Sequence, residues 1–437
     1  MSFGGRRSSG DRGGSQVTID SSKLPGATSR HATAMVLLLG ASAVSLVGTM
    51  MSFVTVPWFV MQVTGQSEKV SLSAFFVMLP SIAGGLVGGA LTDRFGAKRI
   101  SVASSFACFI PFCAIFILQR LHALSFPTLL GLIFVGNFAA LPGTIARRAL
   151  LTLLAQRAGW STHRTGIANS IVVRSALIFG PATAGVLMTV VDPSTVILVE
   201  ALMYLLSGLI VGIYIDAIIV AGNIKRLTPG TLVEGFRIIA SRKPLLQLAV
   251  CFGSINIFVN AINFVAIPIL ARSTQKGSTT LGLTVSVFGA GALVGALLHR
   301  KVVPLIGRWA FMRAGLALIC LSLFALAGLH LVAVAIVAQF LIGSGTGAVA
   351  PFTTIIVTEE TPEDVRGRVF GALQFIYDSS LPLVILLFGW FYSIGGTTLI
   401  FVTAGTAIAA ALVFNVVSLW DATPKLPPAA AAAEEVR

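Results

Sequence analysis

The chain has 437 residues, of which 56% are hydrophobic and only 11% charged, with a formal net charge of +14. A soluble domain carries about twice that share of charge, and a mean hydropathy of +0.93 means that apolar residues are not confined to a core. Soluble enzymes, secreted domains and disordered hubs are excluded, because the apolar residues come in runs long enough to cross a bilayer core of about 30 Å.

In chain order, residues 1–31 form a Gly/Ser/Arg-rich tail with no apolar periodicity, read as a disordered cytoplasmic tail. Twelve apolar segments follow, near 33–63, 72–92, 100–119, 124–146, 166–190, 194–220, 245–271, 279–299, 309–329, 331–356, 367–391 and 395–419. The first is too long for a signal-peptide core and reads as an uncleaved helix. Alternating ten-residue segments of the kind a membrane β-barrel needs are missing. The expectation is an all-α integral membrane protein with 12 transmembrane helices. Residues 32–220 would form an N-terminal six-helix half, 221–244 a cytoplasmic inter-half loop, 245–419 a C-terminal six-helix half and 420–437 a cytoplasmic tail.

Three matches support two related halves. Gly89-Ala90-Leu91-Thr92-Asp93-Arg94 and Gly295-Ala296-Leu297-Leu298-His299-Arg300 agree at four of six positions with an offset of 206. Val56-Pro57 and Ile267-Pro268 repeat at 211, and Gly136 and Pro142 repeat as Gly345 and Pro351 at 209. Parallel six-helix halves around a central site describe a secondary transporter.

With a cytoplasmic N-terminus, 25 of the 30 Lys and Arg residues fall on the inner side, four on the outer side, and Arg174 alone lies within a span. The net charge then records orientation, and no aromatic-interleaved basic patch suggests nucleic acid. By this count Arg147 and Arg148 belong to the inner loop after helix 4, which itself carries no arginine. Cys108, Cys113, Cys251 and Cys320 all fall in spans and read as small apolar side chains. No His/Cys/Asp/Glu cluster suggests a metal, no cofactor motif is visible, and Gly343-Ser344-Gly345-Thr346-Gly347, which imitates a nucleotide loop, reads as a helix-packing stripe inside helix 10.

The most specific motif is Gly89-Ala90-Leu91-Thr92-Asp93-Arg94-Phe95-Gly96-Ala97-Lys98-Arg99. Gly89 permits close helix approach, Gly96 a tight turn, Asp93 can cap a neighbouring helix N-terminus, and Arg94, Lys98 and Arg99 hold the cytoplasmic side. This stretch resembles the signature loop between helices 2 and 3 of the major facilitator superfamily, departing from it at Thr92 and Ala97. Val56-Pro57-Trp58-Phe59-Val60-Met61-Gln62, Arg157-Ala158-Gly159-Trp160-Ser161, Gly180-Pro181-Ala182-Thr183-Ala184-Gly185 and Val365-Arg366-Gly367-Arg368-Val369-Phe370 resemble its drug–proton antiporter branch, which holds macrolide-efflux, enterobactin-export and Tap-type multidrug efflux pumps. The resemblance implies alternating access, with Gly180, Pro181 and Gly185 as an antiporter-type helix-packing motif. It also implies that Asp93 docks at the start of helix 11, beside Arg366 and Arg368, to close the inner side. In that fold helices 5 and 11 border the central cavity.

Ionisable groups inside spans are costly and default to functional candidates. Asp378, near the centre of helix 11, is expected to carry a proton or bind a cation, with a structural hydrogen bond as the alternative. Glu200 in helix 6 reads as a structural group or a second proton site, and Arg174 as a structural group, a partner for a carboxylate or a substrate contact. Asn256, Asn260 and Asn263 at i, i+4 and i+7 would share one face of helix 7, either lining a substrate site or gluing helices. Trp58, Gln62, Asn137 and Tyr377 could join that lining. The leading expectation is a non-enzymatic, proton-coupled exporter of amphipathic drugs, working as a monomer in the plasma membrane on a small-molecule substrate and protons. A lysophospholipid or siderophore transporter of the same fold is the alternative; an integral-membrane enzyme or a channel is disfavoured.

Overall fold

The computed structural model describes residues 25–215, 229–272, 277–328 and 331–420, with side chains except at 25–30, 81–90, 93, 162–163, 229–232, 363–364 and 419–420. Most of both predicted tails, half of the inter-half loop, and the motif positions Gly89 and Asp93 therefore lie outside the residues whose side chains are described.

Six long helices make the first half: α1 (Pro25–Thr64), α2 (Ser67–Phe95), α3 (Ala97–Arg120), α4 (Phe126–Arg157), α5 (Thr162–Leu187) and α6 (Pro193–Tyr214). Their ends are written locally. Gly96 takes φ 86° between α2 and α3, a backbone conformation cheap only for glycine. Ser125 and Ser161 cap α4 and α5 by accepting from the amides of Thr128 and Arg164 at 3.3 and 3.2 Å, which satisfies otherwise orphaned N–H groups.

The second half begins differently from the expectation. Residues 221–244 are not all loop: α7 (Pro229–Ser241) is a helix. The seventh span is not one continuous helix either. It runs as α8 (Lys243–Ser254), a π-helical turn at Ile255–Val259, α9 (Asn260–Phe264) and α10 (Ala266–Arg272). Then come α11 (Gly277–Ile306), α12 (Arg308–Gly328), α13 (Val332–Glu360) and α14 (Glu363–Trp420). The last is two spans run together, divided where Gly396 adopts φ 64°, ψ −162°. Ten candidate spans are long and apolar enough to cross a membrane. With the two spans of α14 counted separately and α2 included, the architecture is twelve-helical.

All the connections at 65–66, 121–125, 188–192 and 273–276 lie on one face, here called face I; Gly96, 158–161, Arg242, Gly307 and 361–362 lie on face II. The main apolar core unites both halves, joining Met51, Phe59 and Met188 to Phe264, Leu281 and Phe388. Toward face II the first half keeps a separate cluster, with Met35, Leu38, Ile100, Leu150 and Val211. The halves thus share a core at one end only.

Within the second half, α11 and α13 are in backbone contact. A Cβ added at Gly295 would lie 1.9 Å from the Ser344 carbonyl oxygen, and one at Gly347 1.9 Å from that of Ala292. The Gly343–Gly347 stripe is therefore a packing surface, since small residues let membrane helices close on each other.

Candidate functional site

At face I the halves are shut against each other. The Phe53 and Phe264 rings sit 4.6 Å apart. Arg272 Nη1 donates to the Gly65 carbonyl at 2.9 Å and lies 3.3 Å from the Met61 sulfur. The Trp58 ring covers Gly277, where an added Cβ would come within 2.2 Å of it. Gly185 of α5 packs on Gly282 of α11, and Ser71 of α2 on Gly389 of α14. Gly180 instead packs within its own half, against Met50 of α1, and the Pro181 carbonyl reaches Gly282. Trp58 is thus part of the seam rather than of an open lining. Gln62 is exposed and lines a small face-I cleft with Gln119, Arg120 and Asp192, which separates it from the other polar candidates.

Toward face II the halves part around a cleft of about 750 Å³ between α5, α11 and α13. Arg174 opens onto it, and among the described residues makes no hydrogen bond or ion pair. Nearer the middle of the second half, both Asp378 oxygens accept from Gln374 Nε2, at 2.9 and 3.0 Å, one turn earlier on α14. The sequence reading did not single out Gln374; a glutamine four residues before a membrane carboxylate was the available signal. Tyr377 is buried against Phe252, ring centroids 5.3 Å apart, with its hydroxyl unpartnered.

The expected asparagine stripe does not form. Asn256 and Asn260 donate to carbonyls one turn back, those of Phe252 at 3.2 Å and Asn256 at 2.6 Å. Asn263 turns into the half and accepts from buried Gln339 of α13 at 2.8 Å. The π turn is the reason: an extra residue within a turn breaks the 3.6-residue phase on which the i, i+4, i+7 reading depends. Asn137 donates to the carbonyl of Ile133 at 2.8 Å.

Glu200 lies inside the first half, fully buried. Ser45, Thr49 and Ser52 follow one face of α1, and each meets a different helix. Ser52 donates to Glu200 Oε2 at 2.6 Å, Thr49 pairs with the Tyr204 hydroxyl at 3.0 Å, and Ser45 accepts from Arg147 at 3.1 Å. Arg147 also reaches Ser105 of α3 at 3.4 Å. This corrects its assignment to a loop: α4 continues to Arg157, so Arg147 points between helices, where hydroxyls satisfy its guanidinium. A hydropathy window cannot see that, because a span ending in Arg and a helix running past it have the same sequence.

On face II, Arg94 and Arg99 are exposed and Lys98 half-exposed. Arg366 donates to the carbonyls of Thr358 and Thr361, both at 3.0 Å, closing the C-terminal end of α13. Arg368 pairs with Glu234 of α7. Gly235 packs on the Arg368 carbonyl and Phe236 on Phe375, rings 6.0 Å apart. In this conformation a helix of the inter-half segment, unforeseen from sequence, occupies Arg368.

The profile of the Major Facilitator Superfamily matches residues 38–380 and 249–436. The multidrug efflux pump Tap of Mycobacterium tuberculosis (strain ATCC 25618 / H37Rv) is 26% identical over 360 residues, 81% of this chain and 85% of that protein. Macrolide efflux protein A of Streptococcus pyogenes is 22% identical over 376 residues, 84% and 91% of the two chains. Among solved structures, the nucleoside transporter NupG superposes with a TM-score of 0.72 at 12% identity, covering 90% of this chain and all of that one. A bacterial homologue of ferroportin in an inward-facing state gives 0.68 at 14%, covering 89% and 98%. With both halves matched by the family profile and the twelve-helix fold shared with solved transporters, the chain belongs to the Major Facilitator Superfamily.

Proposed function

We propose that the chain is a proton-coupled secondary transporter that exports amphipathic small molecules by alternating access, as a monomer in the plasma membrane with both termini in the cytoplasm. The observation that carries this reading is the asymmetry between the halves: shut at face I by Arg272–Gly65 and Trp58–Gly277, parted at face II around Arg174. Two halves packed at one end and separated at the other are one of the two states that rocking about a midplane site requires. The Lys/Arg asymmetry favours a cytoplasmic face II, so this state would load from the cytoplasm, as an exporter must. The names of the relatives, multidrug and macrolide efflux pumps, favour amphipathic drugs as cargo.

Asp378 is the first candidate for the coupling proton, because its only hydrogen-bond donor is Gln374 on its own helix and protonation would break no bond between helices. Glu200 is the second. Asp93, Arg94, Gly96, Lys98 and Arg99 remain the proposed inner gate, closing on the start of helix 11 once Arg368 leaves Glu234.

Purified protein in proteoliposomes, with a macrolide or a fluorescent lipophilic dye as cargo, tests this. Wild type should move cargo against its gradient while protons flow the opposite way, and Asp378→Asn should uncouple the two. Equal transport with the proton gradient collapsed would overturn proton coupling.

A further inference from the structure

The cleft at face II has a composition that the transporter reading does not use. One whole face of α5 lines it: Ile167, Ser170, Ile171, Arg174, Ser175 and Ile178 recur at the spacing of successive helical turns. Leu293 of α11 and Thr354 of α13 complete the wall. The surface is hydrocarbon, with hydroxyls and one guanidinium. Arg174 lies twelve residues into a 26-residue helix, about 18 Å from its start and at mid-bilayer depth. Arg147 of the same half satisfies its charge on Ser45 and Ser105; Arg174 has no such partners, and none of the lining residues is acidic.

A cation at that depth is expensive unless water or an anion meets it. A guanidinium presents a planar fork that fits carboxylate and phosphate oxygens two at a time, and Ser170, one turn earlier on the same face, can donate a further hydrogen bond. The isoleucines on either side suit an alkyl chain. A volume of about 750 Å³ lies within the usual range for small-molecule sites. A cationic amphiphile would instead face repulsion with no carboxylate to offset it.

We infer that the cleft between α5, α11 and α13 binds an anionic amphiphile, its carboxylate or phosphate on Arg174 and its hydrocarbon along Ile167, Ile171 and Ile178. The site opens both toward the bilayer and toward face II, so the same chemistry is available to a free amphiphile and to the head of an anionic lipid. As a choice of cargo class this rests on the transporter reading; as a binding site it stands without it.

The test uses the full chain in phosphatidylcholine nanodiscs, titrated with dansyl-aminoundecanoate and with a dansyl alkylammonium of equal chain length. Wild type should bind the carboxylate at least about tenfold more tightly than the ammonium, the effect of one charge-assisted pair. Arg174→Gln should abolish that preference, Arg174→Lys should keep part of it, and thermal unfolding should show all three proteins folded. Native mass spectrometry from mixed phosphatidylglycerol/phosphatidylcholine discs separates the two sources. Arginine-dependent retention of phosphatidylglycerol assigns the site to a lipid head; binding of the carboxylate probe with no such retention assigns it to a free amphiphile; either supports the inference. Equal affinity for both probes in wild type, or an unchanged preference in Arg174→Gln, overturns it. Charge-selective binding in a protein that transports nothing would defeat the transporter reading and leave this one standing.

Discussion

Ser52 of α1 donates to Oε2 of Glu200 on α6 at 2.6 Å, while Glu200 Oε1, fully buried, has no hydrogen-bond partner. A half-satisfied acid group inside a membrane helix bundle is costly as an anion and can gain a donor role by taking up a proton. Glutamine copies the protonated shape, so Glu200→Gln is expected to fold with undiminished thermal stability while cargo efflux loses its dependence on the proton gradient. Ser52→Ala removes the one donor and should destabilise by about 1–3 kcal/mol. Detergent-solubilised melting curves and proteoliposome flux read the two effects separately.

The α11–α13 contact predicts a sharp contrast between glycines. Gly295→Ala puts a Cβ 1.9 Å from a backbone oxygen that cannot rotate away. The helices must separate, at a cost of about 1–3 kcal/mol or more, and the yield of monodisperse protein should fall. Gly131 of α4 has nothing within 4 Å of its added Cβ, so Gly131→Ala should be neutral or stabilising by up to about 1 kcal/mol. Fluorescence-detected size exclusion compares both with wild type.

Arg272 ties α10 to the end of α1 across the halves. Removing a charged donor of this kind costs about 1.5–3 kcal/mol, enough to change a two-state population about tenfold or more. Arg272→Ala should therefore populate a state open at face I. Spin labels at Val63 and Leu283, both exposed, should show a longer-distance component in double electron–electron resonance; an unchanged distribution would remove Arg272 from the gate.

At face II, the Arg368–Glu234 pair is partly exposed on both sides, so Glu234→Ala should change stability by no more than about 1 kcal/mol. Gly235→Val is different in kind, because a Cβ there would lie 2.4 Å from the Arg368 carbonyl oxygen and lift α7 from α14. Hydrogen exchange over 229–241 should rise strongly in Gly235→Val and little in Glu234→Ala.

The spans, their number and the doubling of the halves were legible in the sequence because each rests on local facts. A stretch of about twenty apolar residues is long enough to cross a bilayer wherever it occurs, and a motif repeated at an offset of 206–211 needs no coordinates. Gly96 as a turn was equally local, since it depends on one residue's backbone freedom.

Only the tertiary structure decided which way each helix faces. In water, polar and apolar sides separate and a helix announces its buried face. In lipid, the protein-facing and lipid-facing sides are both apolar, so orientation leaves almost no periodic trace. That is why Trp58 proved to be a seam residue, Gln62 a face-I residue, and Arg147 an interhelical group. A single π turn sent Asn263 to Gln339 and away from Asn256 and Asn260. Arg174 was visible in the sequence as a charge inside a span; that it fronts an apolar cleft with no acid beside it follows only from how α5 meets α11 and α13.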